Sequence, residues 1–133
     1  MDVKSREEII KFAQKLNSTN LSPLRSGNIS LKAQNNNEEG FLITPSGKKY
    51  DSLKVNDIVF VSLDGKYEKG LQPSSEWRFH KDIYLNKTDA KAVVHAHSPH
   101  ATAVSAHNKD IPAFHYMIAV SYTHLTLPTR LMV

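Results

Sequence analysis

Residues 92–100 read Ala92-Val-Val-His95-Ala-His97-Ser-Pro-His100, and this stretch predicts how the chain folds around a site. The apolar pair Val93 and Val94 indicates a buried strand, and side chains alternate between the two faces of a strand. His95 and His97 therefore lie on one face, where their imidazoles converge. Neutral imidazole nitrogens are common zinc ligands, so the pair is either half of a metal site or the polar end of an ordinary strand.

Length and composition narrow the classes of function. A chain of 133 residues suits one domain, which buries roughly two thirds of its unfolded surface. With no cysteine, any metal has to be held by histidine and carboxylate ligands. The net charge of +4 is spread without a basic run, so we expect no nucleic acid as a partner. The absence of long apolar runs and of a signal peptide predicts a cytoplasmic protein with no membrane association.

Start signals predict three helices. One is introduced by Pro73 and two serines, ahead of a segment that carries Phe79, Ile83 and Tyr84. Ser5 as N-cap and Glu8 three residues later form a capping-box pattern ahead of apolar residues at helical spacing, and this helix is expected to end near Asn17. Ser98 followed by Pro99 has the N-cap and N1 arrangement of the third helix, which follows the histidine strand directly.

Strands are indicated at three further places. Residues 29–33 alternate between apolar and polar side chains, and residues 41–43 form a short buried strand. Residues 58–61 and the segment after Asp64 and Gly65 read as a hairpin, because Asp-Gly is a favoured two-residue turn.

Three small-residue segments lie at the ends of predicted elements: residues 26–28, 44–47 and 73–75. Their backbone N–H groups and hydroxyls suit phosphate oxygens, but an ordinary turn or a helix cap explains each segment taken alone. Glu76 follows in the first turn of a predicted helix, where the helix dipole favours any carboxylate. His80, one turn later, is interpreted as structural or solvated.

Five segments in this order resemble the class II aldolase/adducin family: Ser26-Gly-Asn-Ile-Ser30, Thr44-Pro-Ser-Gly47, Pro73-Ser-Ser-Glu-Trp-Arg-Phe-His80, Val93-Val-His-Ala-His97 and Ile111-Pro-Ala-Phe-His-Tyr-Met-Ile-Ala119. Within that family the pattern is similar to the branch that cleaves L-fuculose 1-phosphate. The resemblance implies an α/β fold, a three-layer α/β/α sandwich around a mixed, largely antiparallel sheet. It also implies a homotetramer with active sites at subunit interfaces.

The same resemblance assigns roles to individual residues. A metal site with one Zn²⁺ per subunit would be formed by Glu76, His95 and His97. Glu76 would also move a proton at the carbon next to the substrate carbonyl, and Tyr116 would donate a proton to the aldehyde oxygen across a subunit boundary. The residues implied to hold the substrate phosphate are Gly27, Asn28, Ser46, Gly47, Ser74 and Ser75.

The function implied is zinc-dependent cleavage of L-fuculose 1-phosphate, or a similar ketose phosphate, to dihydroxyacetone phosphate and an aldehyde, L-lactaldehyde for the fuculose ester. An L-ribulose-5-phosphate 4-epimerase, or another sugar-phosphate enzyme of the same family, is an alternative. The epimerase branch, however, carries Asp at the position of Glu76 and lacks the continuation through His80. A non-catalytic adducin-like scaffold is a second alternative, although a scaffold has no physical need for a metal triad.

The end of the sequence departs from the family. Residues 120–129 resemble the in-frame translation of a transposase sequencing adapter, so we expect residues 1–119 to be the N-terminal part of the family domain and residues 120–133 to be a non-native tail. The family has a third zinc-binding histidine well beyond Tyr116, and His124 lies within the adapter-like segment. The chain as written is therefore expected to be truncated, inactive and unstable.

Overall fold

The computed structural model describes residues 3–24 and 26–108. The helices are α1 (Val3–Ser18), α2 (Trp77–Asn86) and α3 (Pro99–Ala106), and two single 3-10 turns cover Tyr50–Ser52 and Val55–Asp57. The strands are β1 (Asn28–Asn35), β2 (Glu38–Ile43), β3 (Val59–Ser62) and β4 (Ala92–His95). They form one four-stranded sheet in the order β3-β2-β1-β4, and every neighbouring pair is antiparallel.

Two apolar clusters lie on opposite faces of this sheet. The cluster beneath α1 comprises Ile9, Ala13, Leu16, Ile29, Leu42, Tyr50, Leu53, Ile58 and Phe60. The cluster beneath α2 comprises Phe41, Ile43, Val59, Val61, Tyr84 and Val93. Because consecutive side chains of a strand point to opposite faces, Phe41 packs on Tyr84 of α2 while Leu42 faces α1. The described residues thus confirm the predicted α/β/α layers.

The predicted elements are found, with three departures. The segment after Gly65 forms an isolated bridge between Val61 and Tyr67 instead of the second strand of a hairpin. Glu76 precedes α2 instead of lying in its first turn, and the third departure concerns the start of α1.

Ser98 caps α3 as predicted, accepting a hydrogen bond from the Ala101 N–H at 3.4 Å, with Pro99 in the first helical position. Ser5, however, is not an N-cap, because α1 already begins at Val3 and Ser5 lies inside it. Neither Val3 nor Lys4 breaks a helix, so the helix extends past the local capping pattern.

Four chain segments meet at one end of the sheet. Antiparallel pairing places Asn28, at the start of β1, opposite His95, at the end of β4. Thr44, just after β2, accepts a hydrogen bond from the Ile29 N–H through its hydroxyl and another from the Ser74 N–H through its carbonyl. The residues leading into α2 are therefore held beside the ends of three strands, and the predicted site residues that the structure describes lie at this end.

None of the described helices combines the length and apolar character that a crossing of a lipid bilayer needs.

Candidate active site

Glu76, His95 and His97 form a cluster of potential metal ligands. The Nε2 atoms of His95 and His97 lie 2.8 Å apart, and His95 Nε2 lies 3.4 Å from Glu76 Oε1. One ligand atom from each residue lies within 4.8 Å of the other two. The strand pattern predicts the convergence of the two histidines, the family resemblance implies the participation of Glu76, and the structure brings all three together.

The donor set fits a zinc ion. Two imidazoles and a carboxylate are ligands that zinc accepts, and zinc sites commonly combine three protein ligands with an open position. Two nitrogens bound to one tetrahedral zinc lie roughly 3.3 Å apart, as follows from Zn–N bonds of about 2.0–2.1 Å. The separation of Glu76 and His95 is close to this value, the histidine pair is closer, and all three ligand atoms lie within 4.8 Å of one another.

The surroundings of His95 favour its neutral form, which is the form that binds metal. Burial lowers the pKa of His95, the Glu76 carboxylate acts in the opposite direction, and the neighbouring His97 lowers the pKa further. The ring of Phe79 contacts His95 edge-on, with centroids 5.7 Å apart, and excludes water from one side of the imidazole. Phe79 itself is half exposed.

His97 follows the end of β4 and is held there through its backbone. Its N–H donates to the hydroxyl of Ser22 at 2.9 Å, and Ser22 is fully buried. Gly27 is close to the same hydroxyl, since a Cβ built on it would lie 2.5 Å from Ser22 Oγ and 2.6 Å from the His95 carbonyl oxygen. The absence of a side chain at Gly27 thus allows the two loops to approach each other and fixes the path of the chain through His97.

Glu76 occupies the position immediately before α2 and is oriented by two contacts. Its N–H donates to the Ser74 hydroxyl at 3.4 Å, and its Oε2 accepts a hydrogen bond from the Asn28 amide at 2.5 Å. The other carboxylate oxygen faces His95. The carboxylate therefore has one oxygen that accepts a hydrogen bond from Asn28 and one that faces the histidines of the ligand cluster.

Asn28, for which the sequence predicts phosphate binding, has its side chain in other contacts. It is 2% exposed and bonds both Glu76 and His80. Its phosphate role stays a prediction, and the observed contacts make the Asn28 side chain part of the support for Glu76.

His80 is a site residue whose contacts the sequence did not reveal. It is fully buried, its Nδ1 is 2.7 Å from the Ser30 hydroxyl, and its Nε2 bonds the Asn28 carbonyl oxygen. Burial lowers the pKa of His80 to about 4, with His95 adding to the decrease and Glu76 opposing it. A usable signal was present, because Ser30 is a polar residue in a buried strand and His80 and Tyr84 share one helix face at i, i+4 spacing.

The other predicted phosphate residues lie on turns around the same end of the sheet. Ser46 and Gly47 form an exposed turn, which is joined to the segment before α2 by a hydrogen bond of 2.9 Å from the Ser46 N–H to the Gln72 carbonyl. Ser74 is buried, with its hydroxyl engaged by Glu76, and Ser75 is exposed. Tyr116 lies outside the described residues.

Comparison with known proteins gives the family. The family model for the class II aldolase and adducin N-terminal domain matches residues 7–130. An L-fuculose phosphate aldolase from Escherichia coli (strain K12) is 45% identical over 118 residues, which is 89% of this chain and 53% of the relative. A 5-methylthioribulose-1-phosphate/5-deoxyribulose-1-phosphate aldolase from Rhodospirillum rubrum is 41% identical over 116 residues, 87% of this chain and 51% of the relative.

A solved structure of an L-fuculose 1-phosphate aldolase superposes with a TM-score of 0.80 at 36% identity, covering 90% of this chain and 56% of that one. The chain thus spans about half the length of the relatives it matches. The family model, the relatives and the fold agree: the chain belongs to the class II aldolase and adducin family.

Proposed function

We propose that this chain provides the metal-binding and phosphate-binding part of a zinc-dependent aldolase that cleaves a ketose 1-phosphate to dihydroxyacetone phosphate and an aldehyde. The observation that carries the proposal is the convergence of Glu76, His95 and His97 at the end of the sheet where the small-residue turns also meet. Relatives named as aldolases of phosphorylated ketoses support it.

The proposed substrate class follows from the chemistry of the site and the names of the relatives. L-Fuculose 1-phosphate is the leading candidate, with L-lactaldehyde as the aldehyde product. A 5-deoxy-D-ribulose 1-phosphate aldolase from Bacillus thuringiensis is 39% identical over 118 residues, so a shorter ketose 1-phosphate is the second candidate. Both substrates place a phosphate on one side of the ketone and the bond to be cleaved on the other.

His95, His97 and one oxygen of Glu76 would hold the metal ion. When bound, the ion supplies Lewis-acid stabilisation of the negative charge that develops at the ketone oxygen. In the cleavage direction the hydroxyl beyond the scissile bond loses its proton to Tyr116, the reverse of the donation proposed for that residue, and the electron pair of the broken bond passes to the ketone fragment. That fragment then takes up a proton at carbon. Glu76 would leave the metal when substrate arrives, and its freed oxygen would carry this proton, a role that typically contributes roughly 10²–10⁴-fold to the rate.

The phosphate would be held by the turns at residues 27–28, 46–47 and 74–75. These turns are tied to one another through Thr44 and Ser46, so an anion bound between them is fixed relative to the metal cluster. Binding energy from the remote phosphate then orients the reacting carbons. Tyr116 is proposed to act on the aldehyde oxygen across a subunit boundary of a homotetramer. Analytical ultracentrifugation tests the tetrameric state.

The test starts by sequencing the source locus past the codon for Ala119, since a genomic Val-Ser-Tyr-Thr-His there would contradict the adapter interpretation. The product of the verified reading frame is then loaded with zinc and given L-fuculose 1-phosphate, 5-deoxy-D-ribulose 1-phosphate and L-ribulose 5-phosphate. Release of dihydroxyacetone phosphate from a ketose 1-phosphate is the expected result, and epimerisation of the pentulose 5-phosphate without cleavage would favour the epimerase.

Variants make the assay specific for the proposed roles. His95→Ala is expected to abolish both zinc binding and cleavage, and Glu76→Gln to lower kcat by roughly 10²–10⁴-fold. His100→Ala is the matched control, because His100 is an exposed histidine of α3 outside the cluster. A wild-type protein without bound metal and without lyase activity would support the scaffold alternative instead.

A further inference from the structure

A series of buried hydrogen bonds leads from Tyr84, near the C-terminal end of α2, to Glu76. The Tyr84 hydroxyl is 2.8 Å from the Ser30 hydroxyl, which is 2.7 Å from His80 Nδ1. His80 Nε2 bonds the carbonyl oxygen of the Asn28 side chain, and the Asn28 amide donates to Glu76 Oε2 at 2.5 Å. The series connects the middle of the sheet with the carboxylate of the metal cluster.

The donor and acceptor of every hydrogen bond in this series follow from the Glu76 carboxylate at one end. An ionised carboxylate only accepts, so Asn28 presents its NH₂ group to Glu76 and its carbonyl oxygen to His80. A carbonyl oxygen also only accepts, and His80 Nε2 therefore carries the ring proton. In the neutral ring Nδ1 is then bare and accepts the proton of the Ser30 hydroxyl, which leaves Ser30 to accept from Tyr84.

Burial makes the series a fixed structure. Ser30 and His80 are fully buried, and Asn28 and Tyr84 are each 2% exposed. Burial raises the pKa of the Tyr84 hydroxyl, so the phenol keeps the proton that it donates. Because these side chains are buried, water cannot replace a hydrogen-bond partner that is removed. An unsatisfied buried polar group is costly, so the hydrogen bonds hold one another in a single arrangement.

We propose that His80 is a positioning residue: by donating from Nε2 to Asn28 it fixes the orientation of the Asn28 amide, which binds Glu76 Oε2 and leaves Glu76 Oε1 directed at the metal. This inference rests on the proposed role of Glu76 as a ligand. Side chains that hold a metal ligand in place commonly affect metal affinity by roughly 10–100-fold when they are removed.

Zinc affinity of the product of the verified reading frame, measured by competition with a chromophoric chelator, tests the proposal without relying on turnover. His80→Leu, which can neither donate nor accept, is expected to weaken zinc binding by roughly 10–100-fold. His80→Gln provides both a donor and an acceptor and should stay within a few-fold of wild type. His100→Leu applies the same substitution to an exposed histidine and should change nothing.

Tyr84→Phe separates positioning from a general loss of stability. It removes the hydroxyl at the far end of the series but leaves the bond between His80 and Asn28, so the free energy of unfolding should fall while zinc affinity stays within a few-fold of wild type. Equal weakening of zinc binding in Tyr84→Phe and His80→Leu would overturn the positioning role. If His80→Leu does not fold, Ser30→Ala takes its place, because it removes the donor to His80 Nδ1 that fixes the tautomer and that Tyr84→Phe leaves intact. Unchanged zinc affinity in Ser30→Ala would then overturn the proposal.

The tautomer of His80 gives a readout in the wild-type chain alone. Long-range ¹H–¹⁵N correlation spectra of ¹⁵N-histidine-labelled protein distinguish a protonated ring nitrogen from a bare one, and we expect a protonated Nε2 and a bare Nδ1. A proton on Nδ1 would overturn the inference while leaving the proposed function untouched. Absence of zinc binding in the wild type, with the expected tautomer present, would instead contradict the proposed function and the role of His80 in a metal site with it.

Discussion

The Nε2 atoms of His95 and His97 face each other at 2.8 Å, with the ring planes perpendicular. At this distance one Nε2 carries a proton and donates it to the other, because two bare nitrogens have nothing to bind them together. A metal ion needs both lone pairs. Metal binding therefore requires the donating ring to move its proton to Nδ1, and the ion replaces the hydrogen bond that holds the pair in the free protein.

Zinc is expected to stabilise the folded chain measurably. A ligand that binds only the folded state raises the free energy of unfolding by about 2.7 kcal/mol at a free concentration of 100 times its Kd. Urea denaturation with and without buffered zinc measures this difference. The difference should vanish in His97→Ala and persist in His100→Ala, and an equal zinc effect in both variants would show that the ion binds elsewhere.

The sequence predicts contacts between residues close together in the chain, such as the histidine pair. It does not predict contacts that depend on how distant strands and helices pair. The spacing of His95 and His97 on one strand is a local property, so their convergence follows from the alternation of side chains. The contact of Asn28 with Glu76 joins residues 48 positions apart and depends on how β1 pairs with β4 and where α2 begins. His80 illustrates the same limit, since only the pairing of elements reveals that its partners are Ser30 and Asn28.

Gly27→Ala is expected to destabilise the fold and to displace the histidine loop. The residue has a φ of +80°, and an added Cβ would lie 2.5 Å from Ser22 Oγ and 2.6 Å from the His95 carbonyl oxygen. Gly47→Ala is the matched control, because Gly47 has a similar φ of +74° and no atom lies within 4 Å of the added carbon.

Gly47→Ala should lower the free energy of unfolding by about 1 kcal/mol, because of its backbone conformation alone. Gly27→Ala should lower it by several kcal/mol, as measured by urea denaturation. Equal losses in the two glycine variants would show that the contact with Ser22 and His95 does not constrain the chain.

Phe41→Ala tests whether the sheet and α2 share one core. Phe41 is fully buried and its ring lies 5.3 Å from that of Tyr84 between centroids. Removing a buried phenylalanine side chain commonly costs about 3–5 kcal/mol. Phe12→Ala serves as the control, because Phe12 is 49% exposed and should lose under about 1 kcal/mol. Thermal or urea unfolding compares the two, and similar small losses would contradict the described packing of α2 on β2.

Stability of the metal-free chain should fall as the pH is lowered from about 7 to 4, partly because of His80. Its pKa is about 4 in the folded protein against 6.5 for an unperturbed histidine. Above pH 6.5 the ring is neutral in both states and contributes no pH dependence. Between these values the unfolded chain binds a proton that the folded chain does not, so unfolding becomes more favourable, by at most about 3 kcal/mol at pH 4.

The comparison with His80→Gln isolates this contribution. His95 also has a lowered pKa, and it is present in both proteins, so its contribution to the pH dependence largely cancels in the difference between the two unfolding curves. Urea midpoints measured at half-unit pH steps should decline less steeply for His80→Gln between pH 6.5 and 4. Parallel declines would mean that His80 titrates normally in the folded chain, which a fully buried neutral ring bonded to Ser30 and Asn28 does not allow.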